Sequence, residues 1–561
     1  MATLTTNLFH GIGEFDTELD VIEGHWPNDI SGAVFVVGPD KRAPGGHWFG
    51  AHGLLCRIDC APTTQGRIAV RAARVHTPLE RLSQRWPKLF KTFEFAQFSP
   101  FGVTNMANTN VEPIDGRLFI GFDAGRPLEV DPETLEYLTP VGSNSEWLQA
   151  MPAPFEPLVS VAAHPASAHE ERAMYFVNYS PLPGDRQTSV ARWGLGGPVE
   201  RWPLAGTQEF DSIHDIKAST NHLVISDLPF VVEPEAFKGG ERKIANQDLT
   251  RLFIVAKADL RATPPGSPVP VVEVTVPMPT GHISVASDDT DGVLTIYCEH
   301  IPMADLMMRV TDTSVDHRNG ERFDPEYEGL VTLSVQPGVV GRYRIDAATG
   351  EVLDAETAWD DRFWGSILTA KDQSSPEARA EYKHLWFAGL GFDPDLITEA
   401  WWKLYVESGN TALVPLPELP TTAKPGALAH FDLESMKVTE VFEFADGAFP
   451  SPPTFVPRRD SDGPGDGYVV VLVHKDGDKE IQVFDAHDLE RGPLARASAP
   501  GFNPPLLLHS CWMPDRPGPR PSTYRVPVWK DVVGAVTAIP RVTASSVRTI
   551  RKMAKEQRVA R

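Results

Sequence analysis

VDPETLEYL (130–138) decides the fold: an apolar residue, an aspartate, two residues, a polar or small turn, then a return strand. The same plan recurs in IDAATGEVLD (345–354), FDLESMKVTEV (431–441) and FDAHDLERGPLA (484–495), with AKADLRATPP (256–265) as a looser copy. The aspartate can accept hydrogen bonds from its own turn, which is why such hairpins favour it. Around these units run short β-rich stretches: VFVV (34–37), RIAVRAARV (67–75), RLFIGF (117–122), AMYFVNY (173–179) and HLVISDL (222–228). RLFIVA (251–256), VLTIYC (293–298), LVTLSV (330–335) and YVVVLVH (468–474) continue the series. Gly, Pro, Asp and Asn punctuate them, as hairpins require. A strand–turn–strand unit repeated at irregular intervals predicts an all-β fold, a β-propeller whose insertions enlarge the loops of one face.

Helical signal is confined to SSPEARAEYKHLWFAG (374–389) and DLITEAWWKLYV (395–406). The tandem Trp401 and Trp402 are assigned to core packing, with an apolar substrate mouth as the alternative. One domain over residues 1–540 is expected, followed by a basic tail at 541–561 with seven basic residues against one acid. That tail suits either a solvated helix or contact with an acidic membrane.

Hydrophobic residues make up 42% of the 561, enough for a sizeable core, and Gly 44 with Pro 51 suits many turns. The formal charge of −23 repels a polyanion, so no nucleic-acid partner is expected. Cys56, Cys60, Cys298 and Cys511 are too few for a disulfide framework, and Cys56-x3-Cys60 has no second pair to complete a metal site. The N-terminus lacks a basic region before an apolar run, and no stretch is long and apolar enough to span a membrane. A cytoplasmic protein is expected.

Four histidines stand apart in apolar, strand-like settings: His164 in SVAAHPAS, His214 in FDSIHDIKAS, His282 in PTGHISVAS and His509 in PLLLHSCWMP. No helix or hairpin gathers residues so far apart; only a closed, radial fold can. If they converge, an all-imidazole site suits a borderline transition metal, iron above all. The competing reading is that each is an ordinary core histidine of a chain that holds 17.

The phrases around these residues resemble the carotenoid cleavage oxygenases over roughly residues 15–515. GGHWFGAHGLLCRI (45–58) is similar to the family's early segment, with Gly50-Ala51-His52-Gly53 where an acidic Gly-Asp-Gly is usual. NMANTNVEPIDGRLFIGFDAGRPLEVDPETLEYL (105–138), VAAHPAS (161–167), SIHDIKASTNHLVISDLP (212–229) and GHISVASDDTDGVLTIYC (281–298) come next, in the family's order. The closing stretch matches through TFVPRRDSDGPGDGYVVVLVHKDGDKEIQVFDAHDL (454–489) and LLLHSCWMP (506–514).

The resemblance implies a seven-bladed propeller, with helical and loop insertions capping one face. It implies Fe(II) held by His164, His214, His282 and His509, and O2-dependent cleavage of a C=C bond in a carotenoid, apocarotenoid, stilbene or other isoprenoid. It also implies an apolar tunnel and an apolar entrance patch that dips into a membrane. Three glutamates usually orient the ligand rings. The first aligns with Asp123, one methylene shorter, and the second with Pro452, which has no side-chain acceptor. The third belongs in the 360–380 region, with Glu377 and Glu418 as candidates. A related branch isomerises and hydrolyses a retinoid ester, so non-oxidative chemistry stands as an alternative. A non-catalytic propeller that binds protein or lipid, and a calcium hydrolase using DSDGPGDG (460–467) and SDDTDG (287–292), are the others. Those two acidic runs are read as hairpin tips.

Overall fold

The structure is a computed structural model. It describes residues 11–531 apart from 41–45, 94–95, 181–186, 207–211, 229–232, 234–241, 373–380, 516–521 and single positions at 333, 462, 476, 528 and 529. The tail at 541–561 and Glu377 lie outside the described residues.

The chain is all-β, as expected, and its sheets succeed one another in sequence order. Asn110–Ile114, Arg117–Gly121, Leu128–Val130 and Tyr137–Pro140 form one antiparallel meander. Similar sheets are built from 160–203, 212–277, 280–364 and 366–443. The two chain ends share the largest sheet. Its order runs from Phe449–Pro450 through Gly467–His474, Glu480–Asp485 and Ala495–Ser498, then Phe15–Gly24, Ile68–Arg74, Gly53–Asp59, Ala33–Pro39 and His509–Met513. The last strand therefore pairs with the N-terminal segment, Val37 opposite His509 and Ala33 opposite Met513.

The aspartate hairpins do what their sequence predicts. The Asp131 carboxylate accepts the N–H groups of Glu133 and Thr134 at 2.8 and 2.9 Å, and Asp346 those of Ala348 and Thr349 at 3.0 and 2.8 Å. Asp432 accepts from Ser435, and Asp485 from the N–H of His487 at 3.0 Å. The first three of these turns join the two last strands of their sheets, and the Asp485 turn joins Glu480–Asp485 to Ala495–Ser498.

Alternation in the strands puts one apolar set on each face, and the faces of successive sheets meet. Val224, Ile254 and Val276 pack on Ile283, Leu294 and Ile345 of the next sheet; Trp386 and Leu428 pack on Phe455, Val469 and Phe484. The series returns on itself where Val470 and Ile481 meet Leu19, Val34 and Leu54. Each such side chain is worth about 1.5–3 kcal/mol on burial. The core thus lies between sheets, and their inner edges converge.

Three local expectations change. Residues 384–389, placed in a helix, form the strand His384–Gly389: Leu385 and Phe387 fill one sheet interface and Trp386 the other, a period of two. AKADLRATPP is no hairpin, because Lys257–Ala262 is helical. Among its described residues LVTLSV carries the short strand Val331–Thr332.

The second helix forms at Glu399–Ser408. The Thr398 hydroxyl caps it by accepting the Trp401 N–H at 3.2 Å, and left-handed Gly409 ends it. Trp401 is fully buried against Tyr405 and Trp364 and belongs to the core, whereas Trp402 is partly buried and stacks on His317. The four cysteines are free, and no helix among the described residues is long and apolar enough to cross a membrane.

Gly121 lets two neighbouring segments of backbone approach closely. A Cβ there would sit 1.9 Å from the Ala163 carbonyl oxygen, beside His164. The obstacle is backbone, so no rotamer relieves it. Gly121→Ala should lower stability by about 1–3 kcal/mol, read as a fall in Tm, whereas alanine at the open position Gly196 should leave Tm near the wild-type value.

Candidate metal centre

All four candidate histidines stand at places where regular pairing breaks or begins. His214 is the extra residue where the ladder steps from Ile213 to Asp215, and His282 comes after the step at Thr280. Such bulges turn a side chain away from the sheet's alternation. His164 lies in the short connection between Ser160–Val161 and Ala166–Ala168. Its N–H donates to the His214 carbonyl and its own carbonyl accepts from the Ile216 N–H, both at 3.1 Å. The Asp215 carboxylate, fully buried and paired with Lys217, accepts the Ile283 N–H at 3.0 Å and ties the third strand to the second. His509 opens the closing strand opposite Val37.

The four rings meet. His164 is central, with ring centroids 4.6 Å from His214, 4.7 Å from His282 and 4.3 Å from His509. One nitrogen from each lies within 4.8 Å of the others. The Nε2 atoms of His164 and His282 are buried and make no hydrogen bond. An unmade hydrogen bond on a buried polar atom costs about 1–3 kcal/mol. Lone pairs on both would be satisfied at once by a cation between the rings, so the residues present fit a transition-metal ion. Burial, reinforced by the neighbouring imidazoles, holds His164 and His509 far below the usual histidine range. Both imidazoles are therefore neutral near pH 7.

The outer contacts are two carboxylates. Asp123 reaches His214 Nδ1 at 3.0 Å and accepts the Ala163 N–H at 2.9 Å, so the shorter side chain suffices without a water. Burial pulls His214 down, but the Asp123 carboxylate outweighs it and leaves the ring raised. Glu299 lies 3.5 Å from His282 Nδ1 and accepts from the Thr369 hydroxyl at 2.6 Å. Burial pushes Glu299 up, yet the His282 contact prevails and keeps it ionised.

Of the two candidates for the third acid, Glu377 lies outside the described residues. Glu418 is exposed on the turn Leu416–Glu418, and the 360–380 segment contributes Thr369 instead. Glu299 was missed although it is the direct cross-strand partner of His282 in one hairpin. Opposite Pro452, no described hydrogen bond reaches the His509 ring.

A cavity of 330 Å³ touches His164, His282 and His509. Glu112, Asp215, Lys217, Lys371 and Tyr382 also line it. This cavity is largely polar. Apolar side chains gather instead on the insertions, where Trp48, Val310, Leu330 and Leu390 pack with Leu506 just before His509. The acidic turns are hairpin connections, as read, though Asp289 is buried and binds His222 Nδ1 of the neighbouring sheet at 2.7 Å.

Loss of the Asp123 carboxylate frees both the His214 ring and the Ala163 N–H. Asp123→Ala should weaken metal uptake by roughly 10–100-fold, measured by dialysis against buffered metal, and Glu299→Gln should do less because an acceptor oxygen remains.

The model of the family described as RPE65, retinal pigment epithelial membrane protein, matches residues 9–514. Resveratrol cleavage oxygenase 1 of Aspergillus fumigatus is 25% identical over 520 residues, 88% of this chain and 92% of that protein. A cobalt-substituted apocarotenoid oxygenase of Synechocystis superposes with a TM-score of 0.62 at 17% identity, covering 91% of this chain and 98% of that one. Lignostilbene dioxygenase of Pseudomonas brassicacearum gives a TM-score of 0.62 at 20% identity, with 92% and 99% covered. The chain belongs to the RPE65, or carotenoid cleavage oxygenase, family and is an enzyme of its oxygenase class.

Proposed function

We propose that this protein is an Fe(II)-dependent oxygenase that cleaves a C=C bond of an apolar conjugated substrate, a stilbene or apocarotenoid, into two carbonyl compounds with O2. The observation that carries this is the pair of buried, unpartnered Nε2 atoms of His164 and His282 inside a group of four imidazoles. A purely structural role for the histidines would leave those lone pairs unsatisfied. In the same proposal residues 1–540 are one domain, and the converging sheets are the seven blades of a propeller.

His164, His214, His282 and His509 would hold the iron, four neutral donors that leave two positions open. Ferrous iron, when bound, supplies the one-electron chemistry that lets ground-state O2 react with a closed-shell alkene. Asp123 and Glu299 accept the Nδ1 protons of His214 and His282, which fixes both tautomers and turns Nε2 inward. The balance is one alkene and one O2 giving two carbonyls, with the C=C bond broken and two C=O bonds made. No external reductant is needed. The named relatives, oxygenases of resveratrol, an apocarotenoid and a lignostilbene, support this substrate class.

An apolar substrate needs a hydrophobic approach. Trp86 and Leu89 are exposed at 47% and 44%, flanked by exposed Arg81, Arg85, Lys88 and Lys91. Aromatic and aliphatic side chains set among cations suit an anionic bilayer surface. Trp86→Ala with Leu89→Ser should at least halve the fraction of protein that floats with anionic liposomes, and unchanged flotation would place the contact elsewhere.

The main test is anaerobic loading with Fe(II) and incubation with a panel of stilbenes and apocarotenoids under 18O2. One iron per chain, its loss in His164→Ala, and label in both carbonyl products are expected. Failure of the wild-type chain to hold iron, or turnover without O2, would overturn the proposal.

A further inference from the structure

A second group of histidines lies away from the four-histidine centre, at the seam between the sheet of 366–443 and the next one. His384 opens the strand His384–Gly389, His430 lies in Ala427–Asp432, and His487 sits in the turn after Glu480–Asp485. One nitrogen from each is within 4.8 Å of the others. His430 Nε2 faces His384 Nδ1 at 3.1 Å, and the His384 and His487 rings are 4.9 Å apart.

The local contacts orient this group. The Thr439 hydroxyl donates to the His430 carbonyl at 3.3 Å, so its oxygen takes the proton of His430 Nδ1 at 2.9 Å. That leaves the Nε2 lone pair of His430 aimed at the cluster. Trp386 stacks on His430 with rings 10° apart, and its indole N–H donates to the Ala486 carbonyl at 2.9 Å. The turn that carries His487 is thereby pinned to the same strand that begins with His384. Gly465, at φ 74°, leaves the space these rings occupy: a Cβ there would meet His384 Cδ2 at 2.6 Å and His487 Nε2 at 2.9 Å.

We infer that His384, His430 and His487 form a second metal site, which takes one divalent ion of the zinc and copper class and staples the two sheets together. Three neutral imidazoles are the donor set such ions prefer. The spacing of His384 and His430 already approaches that of two nitrogens on one tetrahedral ion. His487 is exposed and on a turn, so it can close the remaining distance and leave the fourth position to water. The Asp432 carboxylate lies 3.9 Å from the same His384 Nδ1 and adds negative charge beside the group.

Zinc alone is the probe. Chelator-stripped full-length protein is titrated with Zn2+, and bound zinc is counted after dialysis for wild type, His487→Ala and Gly465→Ala. His487→Ala removes an exposed side chain, so its fold is expected to persist. Wild type should bind one zinc more per chain than either variant, whatever the four-histidine centre takes up. Zinc should also raise the Tm of wild type more than that of His487→Ala. Equal zinc counts in wild type and His487→Ala would overturn the inference and leave the three rings as a hydrogen-bonded cluster. An anomalous zinc peak at His384, His430 and His487 in a soaked crystal confirms the position, and a peak only at His164 rejects it.

Discussion

The pairing of His509–Met513 with Ala33–Pro39 is the contact on which the rest of the molecule depends. It joins segments several hundred residues apart, and closing a loop of that length costs about 5 kcal/mol in chain entropy. Ladder hydrogen bonds and the apolar cluster of Val34, Leu54, Val470 and Leu507 must outweigh it. Functionally it has one consequence above others. His509 enters the centre only when the ends of the chain meet, so the fourth imidazole is present only in the closed fold. Metal affinity and fold closure are thereby linked, because an ion that binds all four imidazoles favours the closed state over any open one.

The centre is also an electrostatic compromise. His164 and the three imidazoles around it cannot all carry protons together, and burial holds His164 and His509 in their neutral forms. Two carboxylates face the group from outside, Asp123 and Glu299. A divalent ion with two such partners is close to neutral overall, which lowers the cost of holding charge in a low-dielectric interior. The charged side chains of the adjoining cavity, Lys217 against Asp215 among them, keep their own balance. No third acid is needed for neutrality, which gives a physical reason why proline is tolerated at position 452.

What could be read from sequence was whatever depends on local pattern. The aspartate turns were legible because each carboxylate binds its own backbone within three residues. The four converging histidines were legible through the phrases around them. Glu299 was not, because its role depends on strand register and a bulge at Gly281 rather than on neighbours in sequence. His384 was hidden for a different reason. It ends a run rich in Glu, Ala, Arg and Lys that favours helix in isolation, and the packing of Leu385, Trp386 and Phe387 against two sheets overrides that preference. With His384 misplaced, the proximity of His430 and His487 could not be seen.

Asp123 shows how little is needed to keep such a centre ordered. Its carboxylate binds the ring of His214 and also the N–H of Ala163, the residue before His164. The His164 N–H in turn holds the His214 carbonyl. One carboxylate and one backbone bond therefore close a small circuit that fixes two of the four histidines relative to each other. A longer side chain would have to fold back to make both contacts. The missing methylene is matched by the close approach of the two strands, which Gly121 permits at the Ala163 carbonyl. Position 121 and position 123 belong to one solution: the glycine brings the histidine-bearing segment near, and the aspartate is the length that then fits.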